Sequence, residues 1–329
     1  MSMPVAVIPV AGVGTRLRPH THTMPKALLH VAGKPMVAHI LDELRDAGVR
    51  DFVLVIGYMG DRVRQTVSRL YPDLNLQFVE QPEQRGLGHA IYLTKDAVGG
   101  RDAIIVLGDT LFRVDFRQVF DKHVSRIGVK EVEDPRRFGV VDMQGTQVRR
   151  FVEKPEHPPS KLAIVGIYYI VDTPALYGTL DEMIASEKST RGEYQLTDAL
   201  QTMLERGVAM EIFPVEGWYD CGKPETLLET NRALLDLENR APRTLEGSVV
   251  IPPVAVAPDA VVKDSVLGPY ATVASGATIE RSIIRNSIVS ERAQVKGVVL
   301  DSSLIGEDAI VEGVPWNLNI GDSSEMHLG

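Results

Sequence analysis

Cysteine is almost missing from this chain. Cys221 stands alone, so no internal disulfide can form, and a reducing cytoplasm is the expected compartment. No basic segment precedes a long apolar run at the N-terminus, and no apolar stretch reaches the roughly 18 residues that a membrane span needs. Neither a signal peptide nor a membrane partner is therefore expected. A surplus of positive charge is also lacking: the formal net charge is −9. Binding a polyanion needs a basic field, so no nucleic-acid partner is expected, and any phosphate must be met by a few placed cations. What the chain does have is 44% hydrophobic residues over 329 positions, enough to pack cores in two domains.

The most informative stretch runs from Val5 to Lys26. Val5-Ala6-Val7-Ile8 is a short apolar run that reads as a buried strand. It breaks into Ala11-Gly12-Val13-Gly14-Thr15-Arg16, a loop of small residues carrying a fixed cation. Glycines let main-chain N–H groups converge on phosphate oxygens. Arg16 offers a planar fork of donors matched to phosphate, and Lys26 a compact point charge. The loop reads as a phosphate cradle, although it lacks the third glycine of the dinucleotide fingerprint and the Gly-Lys-Ser/Thr of the P-loop.

Downstream, strand-like and helix-like segments alternate up to about Asp121. Helical spacing covers Val37 to Leu44, Asp61 is placed to cap a helix through Leu70, and another helix is expected from Leu87 to Ala97. Phe52–Ile56, Leu76–Val79 and Ala103–Leu107 read as strands, the first and last apolar throughout, which implies a parallel sheet covered on both faces. Ligands in such sheets sit at the carboxyl ends of strands, where both the phosphate loop and Gly108-Asp109 fall. The middle of the chain is β-rich, at Ile127–Val132, Phe138–Met143, Val148–Val152 and Ile164–Ile170, and a helix follows over Glu225–Glu238.

Composition then changes. Arg240 to Thr244 reads as a linker. From Gly247 aliphatic residues recur six apart at Leu267, Val273 and Ile279, then at Val289 and Val295, then at Ile305 and Val311, with slips near Ile284 and Val298. A six-residue period predicts a left-handed parallel β-helix of three to four coils.

The string Gly12-Val13-Gly14-Thr15-Arg16-Leu17-Arg18-Pro19, followed by Pro25-Lys26, resembles the signature of the sugar-phosphate nucleotidyltransferases. These enzymes join a nucleoside triphosphate to a sugar 1-phosphate and release pyrophosphate. Many members carry glycine where this chain has Ala11. Pro9-Val10-Ala11-Gly12 is more similar to the uridylyltransferase branch, and Arg16-Leu17-Arg18-Pro19 to the thymidylyltransferase branch. The resemblance implies an α/β fold: a Rossmann-like mixed-sheet nucleotidyltransferase domain over residues 1–240, with the β-helix and tail over 241–329 extending it to the long-form members.

It also implies roles for named residues. Ala11, Gly12, Gly14 and Thr15 would line the nucleotide, with Arg16 and Lys26 on the triphosphate. Gln81-Pro82-Glu83-Gln84-Arg85-Gly86 resembles the base-reading segment of pyrimidine-specific members. The Gln81 amide can donate and accept at once to an imide edge, and Gly86 would let the chain close over the base. His89 reads as helix-start packing. Phe138-Gly139, Glu153-Lys154-Pro155 and Val165-Gly166 resemble the segments that hold the sugar. There Glu153 takes hydroxyls, Lys154 takes the sugar phosphate and Gly166 makes room. Arg191 matches an arginine that contacts the sugar phosphate.

Phosphoryl transfer relies on positioning and cationic stabilisation, and Mg²⁺ is usually held by one or two carboxylates plus substrate phosphates. Asp109 and Asp220 occupy the family's metal-binding positions. The expected activity is Mg²⁺-dependent transfer from dTTP or UTP to glucose 1-phosphate, by a homo-oligomer. One alternative is a uridylyltransferase for glucose or N-acetylglucosamine 1-phosphate. Another, of a different class, is an inactive regulatory subunit that binds nucleotide sugars, against which the retained Arg16, Lys26, Asp109 and Asp220 speak. Some relatives use such a β-helix for acetyl transfer, which needs a general base, usually His. His327 alone follows Gly247, so an assembly or regulatory role is expected for it.

Overall fold

A computed structural model describes residues 2–145, 147–238 and 244–314. Internal contacts divide the chain into two compact units, Met1–Thr230 and Asn231–Gly329. The expected boundary at 240/241, most of the expected linker, and His327 lie outside the described residues.

The first unit is built on four parallel strands, three of them almost wholly apolar and one an edge strand with exposed polar residues. These are β1 (Val5–Pro9), β2 (Asp51–Ile56), β3 (Asn75–Glu80) and β4 (Ala103–Val106). Val5, Ala6, Val7 and Ile8 are completely buried, as apolar strands covered on both faces must be. A two-stranded ribbon begins with β5 (Thr110–Arg113). The remaining strands are β6 (Ser125–Glu131), β7 (Gly139–Gln144), β8 (Gln147–Glu153), β9 (Leu162–Ile170), β10 (Met210–Pro214) and β11 (Gly217–Asp220). The nine-stranded sheet runs β8-β7-β9-β4-β1-β2-β3, with β6 beside β9 and β10 beside β6, while β11 closes the separate ribbon with β5.

The sheet is mixed because β9 runs antiparallel to β4, β6 and β7. Its register against β6 shifts between Ile164 and Tyr168, around Gly166 at φ 85°. On the other edge β9 pairs with β7 at Ala163 and with β4 from Ile167 onward, so the sheet forks at Gly166.

Helices α1 (Met36–Asp46) and α2 (Gly60–Leu70) fall where the hydrophobic spacing puts them. Asp61, however, is not the cap. The helix starts after Met59 in a left-handed conformation, and Asp61 sits in the first turn, where its charge suits the helix dipole. The helix expected from Leu87 to Ala97 is interrupted. It runs as α3 (Leu87–Tyr92) and then a separate turn at Lys95–Val98. Between them the fully buried Thr94 donates its hydroxyl to the Ile91 carbonyl at 2.7 Å and meets the Tyr177 hydroxyl at 2.8 Å. A threonine hydroxyl that bonds the backbone locally competes with helical hydrogen bonding. Among the described residues no helix is long and apolar enough to cross a membrane.

In the second unit three four-stranded parallel sheets form the sides of a short left-handed β-helix. Partners Val249, Val266, Ile283 and Val299 lie 17, 17 and 16 residues apart, short of three full six-residue sides. The missing residues explain the slips in the sequence, because Ile284 to Val289 and Val295 to Leu300 are five-residue sides. Inward stacks run Val250-Leu267-Ile284-Leu300, Val256-Val273-Val289-Ile305 and Val262-Ile279-Val295-Val311. At one corner a serine ladder satisfies the turning backbone. Ser248, Ser265 and Ser282 accept through Oγ from the N–H groups of Ser265, Ser282 and Val298.

Ile284 is completely buried in its stack. We expect Ile284→Ala to cost about 2–5 kcal/mol of stability, through lost burial and the cavity left behind. A urea titration of the intact protein should show the corresponding fall in the midpoint of the transition that reports the β-helix.

Candidate active site

The loop after β1 is shaped by two glycines with different tasks. Gly14, at φ 66°, turns the chain where a Cβ would stand 3.0 Å from Lys26 Cβ and 3.2 Å from Thr21 Cγ2. Thr21 fastens that turn by donating its hydroxyl to the Gly14 carbonyl at 2.9 Å. At Gly12 nothing lies within 4 Å of a built Cβ, so the main chain there is open to a ligand. Ala11 is buried, and its carbonyl accepts from Gln84 Nε2 at 2.9 Å. Thr15 and Arg16 are exposed on a single 3-10 turn, which buried Leu17 anchors.

The end of β4 presses on this loop. A Cβ at Gly108 would lie 2.4 Å from Val10 Cγ1 and 2.8 Å from the Pro9 carbonyl oxygen, so only glycine lets the strands come this close. Asp109 follows at once. Its half-exposed carboxylate is 2.9 Å from the ammonium of Lys26, which is itself buried. Withdrawal from water would raise the Asp109 pKa, but the Lys26 charge and hydrogen bond, the Thr110 hydroxyl and Arg16 outweigh it. The net effect lowers the pKa below the usual carboxylate value.

The β5–β11 ribbon brings in the second carboxylate. Asp220 is the register partner of Thr110, one residue after Asp109. Asp220 Oδ1 accepts from the Gly222 N–H at 2.8 Å. A Cβ at Gly222 would meet Asp220 Oδ1 at 2.8 Å and Arg16 Nη2 at 2.9 Å, which places guanidinium and carboxylate together beside that glycine. Among the described residues no group of three or more His, Cys, Asp or Glu side chains could hold a metal ion unaided. Two hard carboxylates open to a cleft suit an ion such as Mg²⁺, which keeps waters and takes substrate phosphates.

Asp109, Asp220 and Arg16 line a cleft of 390 Å³ together with Gly139, Glu153, Lys154 and Gly166. Glu153 is tied on both oxygens, to Lys154 Nζ at 2.9 Å and to the Thr197 hydroxyl at 2.7 Å. A Cβ at Gly139 would crowd Thr197 Oγ1 at 3.0 Å and Glu153 Oε2 at 3.2 Å. Lys154 adopts φ 42°, a strained conformation of the kind that clusters at ligand sites.

Two expected residues on this side also meet protein neighbours. The room at Gly166 is not left for a ligand, because the Leu107 side chain fills it, 2.6 Å from a built Cβ. Arg191 is exposed and donates to the Lys154 carbonyl at 3.2 Å, which ties it to a residue of the cleft lining. Lys26 stands behind Asp109, outside that lining.

A second cleft of 670 Å³ opens at the carboxyl ends of β1, β2 and β3, between Val13, Gly57–Asp61, Glu80–Pro82 and Gln84. Gln81 lines it and is only 6% exposed. Gly86, at φ 102°, does more than free the loop to move: a Cβ there would strike the Tyr194 backbone at 2.7 Å. Gly88 N–H donates to the Tyr194 carbonyl and Tyr194 N–H to the Arg85 carbonyl, so the loop is strapped to the segment carrying Arg191.

Sequence reasoning missed Thr197, Gln84 and the role of His89, which is buried against Gln81 at 3.2 Å. A hydroxyl or amide that meets a residue tens of positions away leaves no periodic trace. Cys221 is the small buried residue expected, and burial pushes its thiol up to about 12.

Comparison with known proteins agrees with this geometry. The family model described as nucleotidyl transferase matches residues 5–237. Low-salt glycan biosynthesis nucleotidyltransferase Agl11 of Haloferax volcanii is 34% identical, over 96% of this chain and 98% of its own. A glucose-1-phosphate thymidylyltransferase of Streptomyces griseus is 32% identical, over 98% and 99%. A solved UDP-glucose pyrophosphorylase complexed with UDP-glucose is 26% identical, with a TM-score of 0.62, over 72% of this chain and 100% of that one. On its sequence match and on the fold it shares, this chain belongs to the nucleotidyl transferase family.

Proposed function

We propose that this protein transfers a nucleotidyl group from dTTP, or with UTP as the second choice, to glucose 1-phosphate. The products are dTDP-glucose (or UDP-glucose) and pyrophosphate, and the reaction depends on Mg²⁺. The observation that carries the reading is one cleft lined by Arg16, Asp109 and Asp220 on one side and by Glu153 and Lys154 on the other. The match along almost its whole length to a thymidylyltransferase supports dTTP, because that similarity includes the β-helix region. We assign residues 1–240 to catalysis and 241–329 to assembly of a homo-oligomer, acting in the cytoplasm as the lone buried cysteine suggests.

The chemistry is an in-line displacement. A phosphate oxygen of the sugar 1-phosphate attacks the α-phosphorus, and the bond to the pyrophosphate oxygen breaks. Lys154 holds the attacking phosphate, and the tied carboxylate of Glu153 accepts from sugar hydroxyls. The open main chain at Gly12 and the Arg16 guanidinium hold the triphosphate, and Arg16 stabilises charge building on the leaving group. Asp109 and Asp220 would hold Mg²⁺, which when bound neutralises charge on the phosphates. Arg191, which donates to the Lys154 carbonyl, joins that lysine on the sugar phosphate.

The test is pyrophosphate release from dTTP, UTP, CTP, GTP and ATP, each against glucose, N-acetylglucosamine, galactose and mannose 1-phosphates, with and without Mg²⁺. Signal confined to dTTP or UTP with glucose 1-phosphate and Mg²⁺ is expected. A grid without signal would favour the regulatory-subunit alternative. Asp109→Asn should lower kcat/KM by about 10²–10³-fold or more, with the circular-dichroism spectrum unchanged. The lowered pKa keeps Asp109 ionised at neutral pH. Its contribution to stability is therefore present above the unfolded carboxylate range of about pH 4 and is lost as pH falls below it. Direct attack calls for no covalent nucleophile. Cys221→Ala should thus keep activity within about threefold, and native Cys221 should resist alkylation by iodoacetamide until the protein is unfolded.

A further inference from the structure

Beside the nucleotide cleft lies a buried amide–imidazole pair that phosphoryl transfer does not use. Gln81 follows β3, and His89 lies on α3; they are 6% and 8% exposed. Gln81 Nε2 stands 3.2 Å from the Gly86 carbonyl oxygen and 3.2 Å from His89 Nδ1. A peptide carbonyl only accepts, so the amide atom that faces Gly86 must be the nitrogen. Gln81 Nε2 has only hydrogens to offer, so His89 Nδ1, which faces it, is the acceptor. Burial and the nearby Arg85 charge both lower the His89 pKa, which keeps the ring neutral at pH 7.

Both N–H groups of Gln81 are therefore spent inside the protein. Among the described residues Oε1 accepts no hydrogen bond, while the residue lines the 670 Å³ cleft. The amide does not donate and accept at once, as the sequence alone suggested; toward a ligand it can only accept.

We propose that His89 is a positioning residue that, with the Gly86 carbonyl, locks the Gln81 amide so that its oxygen alone reads the base. The site then selects a base whose ring nitrogen carries hydrogen, as N3 of thymine and uracil does. It rejects cytosine, whose N3 presents a lone pair to Oε1. This rests on the pyrimidine nucleotidyltransferase reading above and gives that reading its means of discrimination.

The test compares kcat/KM for dTTP, UTP and CTP, with glucose 1-phosphate, in wild type, His89→Phe and His89→Gln. His89→Phe removes the acceptor, while His89→Gln returns a carbonyl near the same place. Loss of one neutral hydrogen bond should narrow the dTTP-to-CTP and UTP-to-CTP ratios by about five- to tenfold, mostly through KM, and His89→Gln should restore part of it. Equal losses for all three triphosphates, or unchanged ratios in a folded His89→Phe, would overturn the proposal. If His89→Phe does not fold, wild-type protein decides with 3-methyl-UTP, which lacks the N3 hydrogen. Weaker binding than UTP is expected, and equal binding would overturn the proposal. A wild-type enzyme that uses no pyrimidine triphosphate would instead remove the underlying functional reading, whatever the variants do.

Discussion

The close approach of β4 to the loop after β1 is the constraint on which the site depends. It is possible because Gly108 has no side chain, and it brings Asp109 within 2.9 Å of Lys26. That pair does two things at once. It compensates a buried ammonium that would otherwise be costly, and it keeps a cleft-facing carboxylate ionised. From this point the ribbon carries Asp220 into register, and the phosphate loop lies across the contact.

The fork of the sheet supplies the other half. Where β4 leaves β9 at Gly166, β7 takes over the same edge, and the opening is lined by Gly139, Glu153 and Lys154. The cleft that Gln81 lines lies at the ends of β1, β2 and β3, on the other arm of the sheet. Because β9 runs antiparallel to β4, β6 and β7, the two clefts form on differently built arms of one sheet.

Much of this was legible in the sequence because it is periodic or local. The buried strands announce themselves as unbroken apolar runs, and the three inward stacks of the β-helix account for the aliphatic residues six apart. Even the slips near Ile284 and Val298 carried information, since they mark five-residue sides. Asp109 and Asp220 were readable from their motifs. What stayed hidden depends on contacts across the fold. The side chain of Leu107 against Gly166 and the bond from Arg191 to the Lys154 carbonyl join residues far apart in the chain and leave no local pattern. His89 reads as packing because a one-dimensional pattern does not register an acceptor at 3.2 Å from an amide.

The strap between Arg85–Gly88 and Tyr194 has a consequence for protein engineering. Backbone hydrogen bonds join these segments in both directions, and the Arg85 guanidinium stacks on the Tyr194 ring and bonds its hydroxyl. A loop transplanted from a relative in place of Arg85–Gly88 would arrive without the surface that receives it. The two segments, more than a hundred positions apart in the chain, form one exchangeable cassette, and a graft that respects this has to carry both.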